Sequence, residues 1–234
     1  MLYYLLEPYS DTLIGVNVIR YITFRSASAA VLALLISLFV GSWIIKKLKE
    51  MQIGEEIRIE GPESHLSKRG TPSMGGLIIL ISVIIPTLLF AKIGQSNILI
   101  VLLVTVVLGI IGFIDDWLKI IKKYPKGLVG RYKLLGQIVL GLLVGCFIYF
   151  FPEVQAERSS TTLPFFKNYE LHFGIFYIPI IAFIITAASN SSNLTDGLDG
   201  LLTGLTAIAA AAFAAIAYVT GHAVFSDYLN ILFL

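Results

Sequence analysis

From residue 25 onward the chain is a succession of long apolar blocks parted by short polar ones. Residues 25–45, 76–91, 98–114, 134–151, 174–189 and 201–219 are nearly free of charge. A membrane helix needs about 20 predominantly apolar residues, with a working range of about 17–25. The blocks 76–91 and 174–189 reach that range only with their small or polar flanks. The closing stretch DYLNILFL (227–234) turns apolar again and reads as the opening of a seventh helix, cut off. The pattern predicts an all-α polytopic transmembrane helix bundle of six complete helices plus the start of a seventh. No repeat or low-complexity linker divides it, so residues 1–234 read as a single membrane domain.

Composition agrees with the pattern. The chain is 57% hydrophobic and 14% charged, against about 25% charged in a soluble domain. Its formal net charge of +2 carries little information, because the charges are unevenly placed. Loop 46–75 holds Lys46, Lys47, Lys49, Arg58, Lys68 and Arg69, and loop 115–133 holds Lys119, Lys122, Lys123, Lys126, Arg131 and Lys133. The intervening loop 92–97 has only Lys92, and loop 152–173 has Arg158 and Lys167. Basic loops stay in the cytoplasm, so the alternation predicts an outside N-terminus. The first residues, MLYYLLEPYSD, lack a basic leader and a small-residue cleavage site, and no cleavable signal peptide is expected. The single Cys146 lies in an apolar block and excludes an intrachain disulfide.

With that orientation, three polar stretches emerge on one face: SKRGTPSMGG (67–76), GFIDDWLKI with the basic loop behind it (112–133), and SNSSNLTDGLDGL (189–201). Asp115 and Asp116 stand where an apolar block meets its first basic residues. Neighbours on a helix point about 100° apart, and at a C-terminus both oppose the helix dipole. A divalent cation or a basic partner offsets that cost, and Mg²⁺ takes one or two carboxylates together with substrate phosphates. The plain alternative is a pair of interfacial charges reaching water beside Lys119. Asn190, Asn193, Asp196 and Asp199 recur every three residues, so the first three can share a polar helix face, with Gly197 and Gly200 allowing a break. Capping of a helix end explains one or two of these residues. Lys68, Arg69 and Thr71 supply cationic and hydroxyl donors in a glycine-containing turn, although marking topology accounts for the two cations. No G-x-x-x-x-G-K-[ST] loop is present, which disfavours a nucleotide-hydrolysing motor. His65 can take a proton near neutral pH, and an isolated His by a basic loop is more often just solvated. Carboxylates for a cation, Lys and Arg for anions and a lipid-accessible bundle suit phosphoryl chemistry on a partly lipidic substrate.

The pieces RYITFRSASA (20–29), HLSKRGTPSMGG (65–76), GFIDDWLKI (112–120), KGLVGRYKLLGQ (126–137) and NLTDGLDGL (193–201) together resemble the bacterial phospho-N-acetylmuramoyl-pentapeptide-transferases. These belong to the polyprenyl-phosphate N-acetylhexosamine-1-phosphate transferase superfamily. The resemblance implies transfer of phospho-MurNAc-pentapeptide from UDP-MurNAc-pentapeptide to undecaprenyl phosphate, giving lipid I and UMP, with Mg²⁺ required. It implies a bacterial inner-membrane protein that forms a homodimer, with its site on the cytoplasmic face and no nucleic-acid partner. Matched onto this sequence, it gives Asp115, Asp116 and Lys68 as catalytic residues, with His65 added for its own proton chemistry. Lys119, Lys133, Asn193, Asp196 and Asp199 become substrate-binding residues, joined by Thr71 and Asn190 from the motif reading, and Asp115 and Asp116 metal ligands. The resemblance also implies about ten helices, and a later Gly-Asp-x-Gly-Ser loop and a His-rich loop that these 234 residues do not contain. Two further readings stand beside it: a cation-coupled transporter, which wants ionisable groups deep within helices and a repeat, and an inactive membrane fragment of the transferase.

Overall fold

The computed structural model describes residues 1–13, 15–50, 74–120, 122, 124, 127–151, 159–162, 170–198, 200–229, 231 and 233. Each of the six apolar blocks is helical. After a short α1 (Leu2–Leu6) and two 3₁₀ turns come α2 (Ile22–Glu50), α3 (Gly76–Phe90), α4 (Ser96–Ile120) and α5 (Gly130–Phe150). Then follow α6 (Tyr177–Thr195), α7 (Leu201–Thr220) and α8 (Ala223–Leu229). Among the described residues, five helices are long and apolar enough to cross a membrane, and α3, with 15 residues, is a shorter apolar helix. The all-α bundle is therefore observed. Helix α8 begins at Ala223 and takes in Asp227–Leu229, the first residues of the stretch read as the opening of a seventh helix. A small hairpin was not anticipated. Strands β1 (Ser160–Thr162) and β2 (Glu170–His172) pair antiparallel, with Thr161 opposite Leu171.

The helices overrun their apolar blocks. Helix α2 continues through KKLKE to Glu50, and α4 continues past both aspartates to Ile120. Once a helix has left the hydrocarbon its ladder of backbone bonds need not stop, since Lys, Glu and Leu are good helix formers. The outer faces stay apolar: Phe39, Phe183 and Phe213 are each more than 70% exposed. That is unfavourable in water and natural in lipid, where the surrounding chains are as apolar as the side chains.

The chain forms two compact units, Met1–Gly136 and Gln137–Leu234. In the first, Ile44 and Leu48 of α2 pack with Met74 against Val40, Ile78, Ile81 and Phe113. At the start of α2, buried Arg25 donates from Nη1 to the carbonyls of Ile19 and Arg20, both at 2.9 Å, and lies over the Tyr3 ring. In the second unit α5 and α6 touch backbone to backbone. A Cβ added at Gly141 would stand 2.5 Å from Ala182 Cα, and one at Gly145 would stand 2.8 Å from the Ile178 carbonyl oxygen. The sequence Gly141-Leu-Leu-Val-Gly145 is the small-x-x-x-small pattern that lets membrane helices approach closely.

Candidate functional site

The last turns of α4 carry the acidic pair, and the helix divides it. Asp115 points inward, with a side chain 11% exposed, while Asp116 is half-buried and engaged with other groups. Adjacent positions on a helix diverge by about 100°, and α4 does not fray before Ile120. The two carboxylates therefore leave the helix in different directions.

Around Asp115 the chain closes a tight cluster. Beyond α4, the Tyr124 N–H donates to the Leu118 carbonyl at 3.0 Å and the Lys122 N–H to the Trp117 carbonyl at 3.3 Å, satisfying carbonyls that a helix end leaves open. The Gly127 N–H donates to the Tyr124 carbonyl, and Gly127 takes the left-handed conformation, φ 58°. This brings the Leu128 N–H within 2.9 Å of Asp115 Oδ1. On the other oxygen, Lys119 Nζ donates to Asp115 Oδ2 at 3.0 Å, one helical turn on, where i and i+4 share a face. Lys133, in the first turn of α5, places its Nζ 3.7 Å from the same Oδ2. One buried carboxylate thus ties α4, the following turn and α5, and the set of Asp115, Lys119 and Lys133 carries a net single positive charge. Such a set favours an anion.

The structure brings together three residues that sequence reasoning had placed in one pocket: Asp115, Lys119 and Lys133. In the second unit it places Asn190 within α6 and Asn193 near the exposed end of that helix, with exposed Asp196 as its C-cap. The Asn190 amide is turned inward. Its Nδ2 donates to Gln137 Oε1 at 2.7 Å and to the Thr186 carbonyl at 2.8 Å. Gln137, fully buried, in turn donates from Nε2 to Ser189 Oγ at 2.9 Å. Gly200, at φ 80°, makes the break before α7. His65, Lys68, Thr71 and Asp199 lie outside the described residues.

Sequence reasoning passed over Gly127, Leu128, Gln137 and Ser189. Gln137 did carry a signal, being an uncharged polar side chain within an apolar span, where such groups need a partner. Leu128 carried none, because it acts through its backbone.

Asp115 and Asp116 are the expected magnesium ligands. The surroundings of Asp115 do not fit that role: Oδ1 holds a backbone N–H, and Oδ2 faces two ammonium groups that would repel a cation. No group of three or more His, Cys, Asp or Glu gathers to hold a metal among the described residues.

Comparison with known proteins decides the family. The model for glycosyl transferase family 4 matches residues 98–234, more than half of the chain. The chain belongs to glycosyl transferase family 4. Within the family-4 chain, residues 68–80 match signature 1 of phospho-N-acetylmuramoyl-pentapeptide-transferase. Relatives of that name are similar throughout. The protein of Pelodictyon phaeoclathratiforme is 48% identical over 236 residues, that of Chlorobium chlorochromatii 46% over 236, and that of Geobacter sp. (strain M21) 44% over 231. Each alignment takes in 99–100% of this family-4 chain and 64% of the relative. The chain thus spans just under two thirds of the length of the curated relatives it matches.

Proposed function

We propose that this chain is part of a phosphoglycosyl transferase that moves phospho-MurNAc-pentapeptide from UDP-MurNAc-pentapeptide to undecaprenyl phosphate. The products are lipid I and UMP, in the first membrane step of peptidoglycan synthesis. The observation that carries the reading is the convergence of Lys119 and Lys133 on one carboxylate at the end of α4, in a chain bearing the transferase signature. Two ammonium groups beside the membrane suit a diphosphate that must lose a phosphoanhydride bond. A lipid-phosphate oxygen bonds to the sugar-linked phosphorus, the bond to the uridylyl phosphate breaks, and UMP leaves with the electron pair.

In this reading Asp116 is the acid best suited to take the lipid phosphate's proton, with Lys68 and His65 in the same catalytic set. Lys119 meets the phosphates, and Thr71, Asn193, Asp196 and Asp199 line the nucleotide side. Asn190 and Lys133 hold that frame. Magnesium belongs to the proposal through the resemblance to the transferases, and no step is derived through it. The site faces the cytoplasm of a bacterial inner membrane, with the N-terminus outside and two copies forming a dimer. Transport of a cation is supported by no repeat and no cation-binding cluster among the described residues.

The test supplies both substrates to purified protein, with and without magnesium, beside a product of the same gene of the relatives' full length. UMP release with magnesium, abolished by Asp116→Asn, is expected. Ion flux without lipid product from either protein would overturn the reading, and activity confined to the longer product would make the present chain the inactive fragment.

A further inference from the structure

We propose that Asp115 is the positioning residue of the acidic pair rather than a magnesium ligand: it clasps the turn at Gly127–Leu128 onto α4 and sets where Lys119 and Lys133 stand. The use of those lysines rests on the transferase reading, whereas the clasp itself does not.

Three independent contacts converge on the one carboxylate. Oδ1 accepts from the Leu128 N–H, 13 residues along the chain, at 2.9 Å. Oδ2 accepts from Lys119 at 3.0 Å and faces Lys133 at 3.7 Å. The turn is also shaped around the acid. A Cβ added at Gly127 would collide with Asp115 Oδ1 and would stand 2.6 Å from Lys119 Cε and 2.8 Å from its Cγ. Gly127 thus needs glycine twice over, for its positive φ and for the approach of its backbone to the carboxylate and to Lys119. Magnesium demands near-octahedral geometry and keeps several waters. The flank of Oδ1 is filled by the Gly127–Leu128 backbone, and the flank of Oδ2 by cations.

The clasp has a directional consequence. The Lys133 side chain is 17% exposed and that of Lys119 is 43% exposed. Lys133 is therefore the strut, fixed to α5, and Lys119 is the lysine with freedom to leave the acid and reach a phosphate. The two lysines on α4 and α5 share a position only because Asp115 holds both helices and the turn between them.

Hydrogen–deuterium exchange of the full chain in detergent tests this at the Leu128 amide, without substrate. Asp115→Asn keeps a carbonyl oxygen for the Leu128 N–H and is expected to keep its protection. Asp115→Ala removes the acceptor and is expected to speed exchange roughly tenfold or more, the scale of a lost hydrogen bond to a charged group. Asp116→Asn is expected to leave Leu128 unchanged, and Gly127→Ala to speed it with every carboxylate intact. Amides within α2 serve as the control for global unfolding. Adding magnesium chloride to the parent is expected to leave Leu128 protected. The proposal is overturned if Asp115→Ala exchanges at the parental rate, if Asp115→Asn exchanges as fast as Asp115→Ala, or if magnesium releases the Leu128 amide by drawing the carboxylate away. Because no substrate enters, failure here is separate from failure of the transferase reading, which the UMP assay reports.

Discussion

Gln137 and Asn190, 53 residues apart, meet through a 2.7 Å hydrogen bond between α5 and α6. Gln137 is wholly buried, so neither of its polar atoms has water to fall back on. An unsatisfied polar group in an apolar surround costs more than the bond itself contributes, and that asymmetry makes the pair a lock between the helices.

Replacing Gln137 by Leu removes an acceptor from Asn190 and a donor to Ser189 while preserving bulk. A loss of about 1–2 kcal/mol is expected, in the upper range for polar pairs between membrane helices. Thermal unfolding in detergent measures it. An unchanged midpoint for Gln137→Leu would show that the lock carries no weight.

The neighbouring contact is steric. At Gly141 a methyl group meets Ala182 backbone, which cannot rotate away as a side chain can. Gly141→Ala is expected to destabilise by about 1–3 kcal/mol, the range for overpacking, and Gly141→Val by more. At Gly130, where a Cβ meets nothing within 4 Å, the same change to Ala is expected to be nearly silent. Denaturant titration of the three variants separates close approach from a general intolerance of the helix.

Lys119 and Lys133 differ in exposure, and the variants should differ in kind. If the transferase reading holds, Lys119→Met raises KM for the nucleotide substrate with the fold intact. Lys133→Met loosens the start of α5 and lowers the unfolding midpoint. Steady-state kinetics beside thermal unfolding tells them apart. Equal midpoints for both variants would remove the distinction between strut and reaching lysine.

At the other end of the chain, Arg20 forks onto Asp11 with bonds of 2.7 and 2.9 Å. The guanidinium hydrogen bond, and then its charge, hold the Asp11 carboxyl below its ordinary value. A carboxyl depressed by folding adds stability above the unfolded-chain value, and that contribution disappears as pH falls through the folded one. Both groups are solvated, so the effect is small. Arg20→Gln is expected to return the Asp11 titration upward toward its ordinary carboxylate value, as read from the carboxyl ¹³C shift of labelled protein. A midpoint that stays depressed would assign it to another cause.

The helices were legible because six apolar blocks of sufficient length leave a membrane chain few alternatives. Their ends were not. Hydropathy marks where lipid stops, whereas α2 and α4 stop where the backbone ladder does, at Glu50 and Ile120. The hairpin at Ser160–Thr162 and Glu170–His172 has three residues a side, too short for alternation to announce it. At the site, the Asp115–Asp116 divergence followed from helix geometry, whereas Lys119 entered through the family resemblance, its i+4 place beside Asp115 being visible in the sequence but not read from it. That Lys133 joins them depends on a turn whose decisive group is the Leu128 amide, and an amide is present at every residue but proline. Asn190 was read as a substrate-binding residue from its spacing, and the bond its Nδ2 makes to Gln137 was not legible there, since a three-residue spacing does not say which groups already meet a side chain.

Helix α3 is 15 residues long and contains buried Pro86. At 1.5 Å per residue it rises about 22 Å, against a hydrocarbon core of about 30 Å. Where α3 spans the bilayer, the difference is met by local thinning of the lipid, by flanking residues reaching to the interface, or by packing against other helices. Acyl-chain length then becomes a variable of the protein's own equilibrium: short-chain bilayers relieve the mismatch, long-chain ones load it onto α3, and the same polypeptide is more or less strained according to the membrane that receives it.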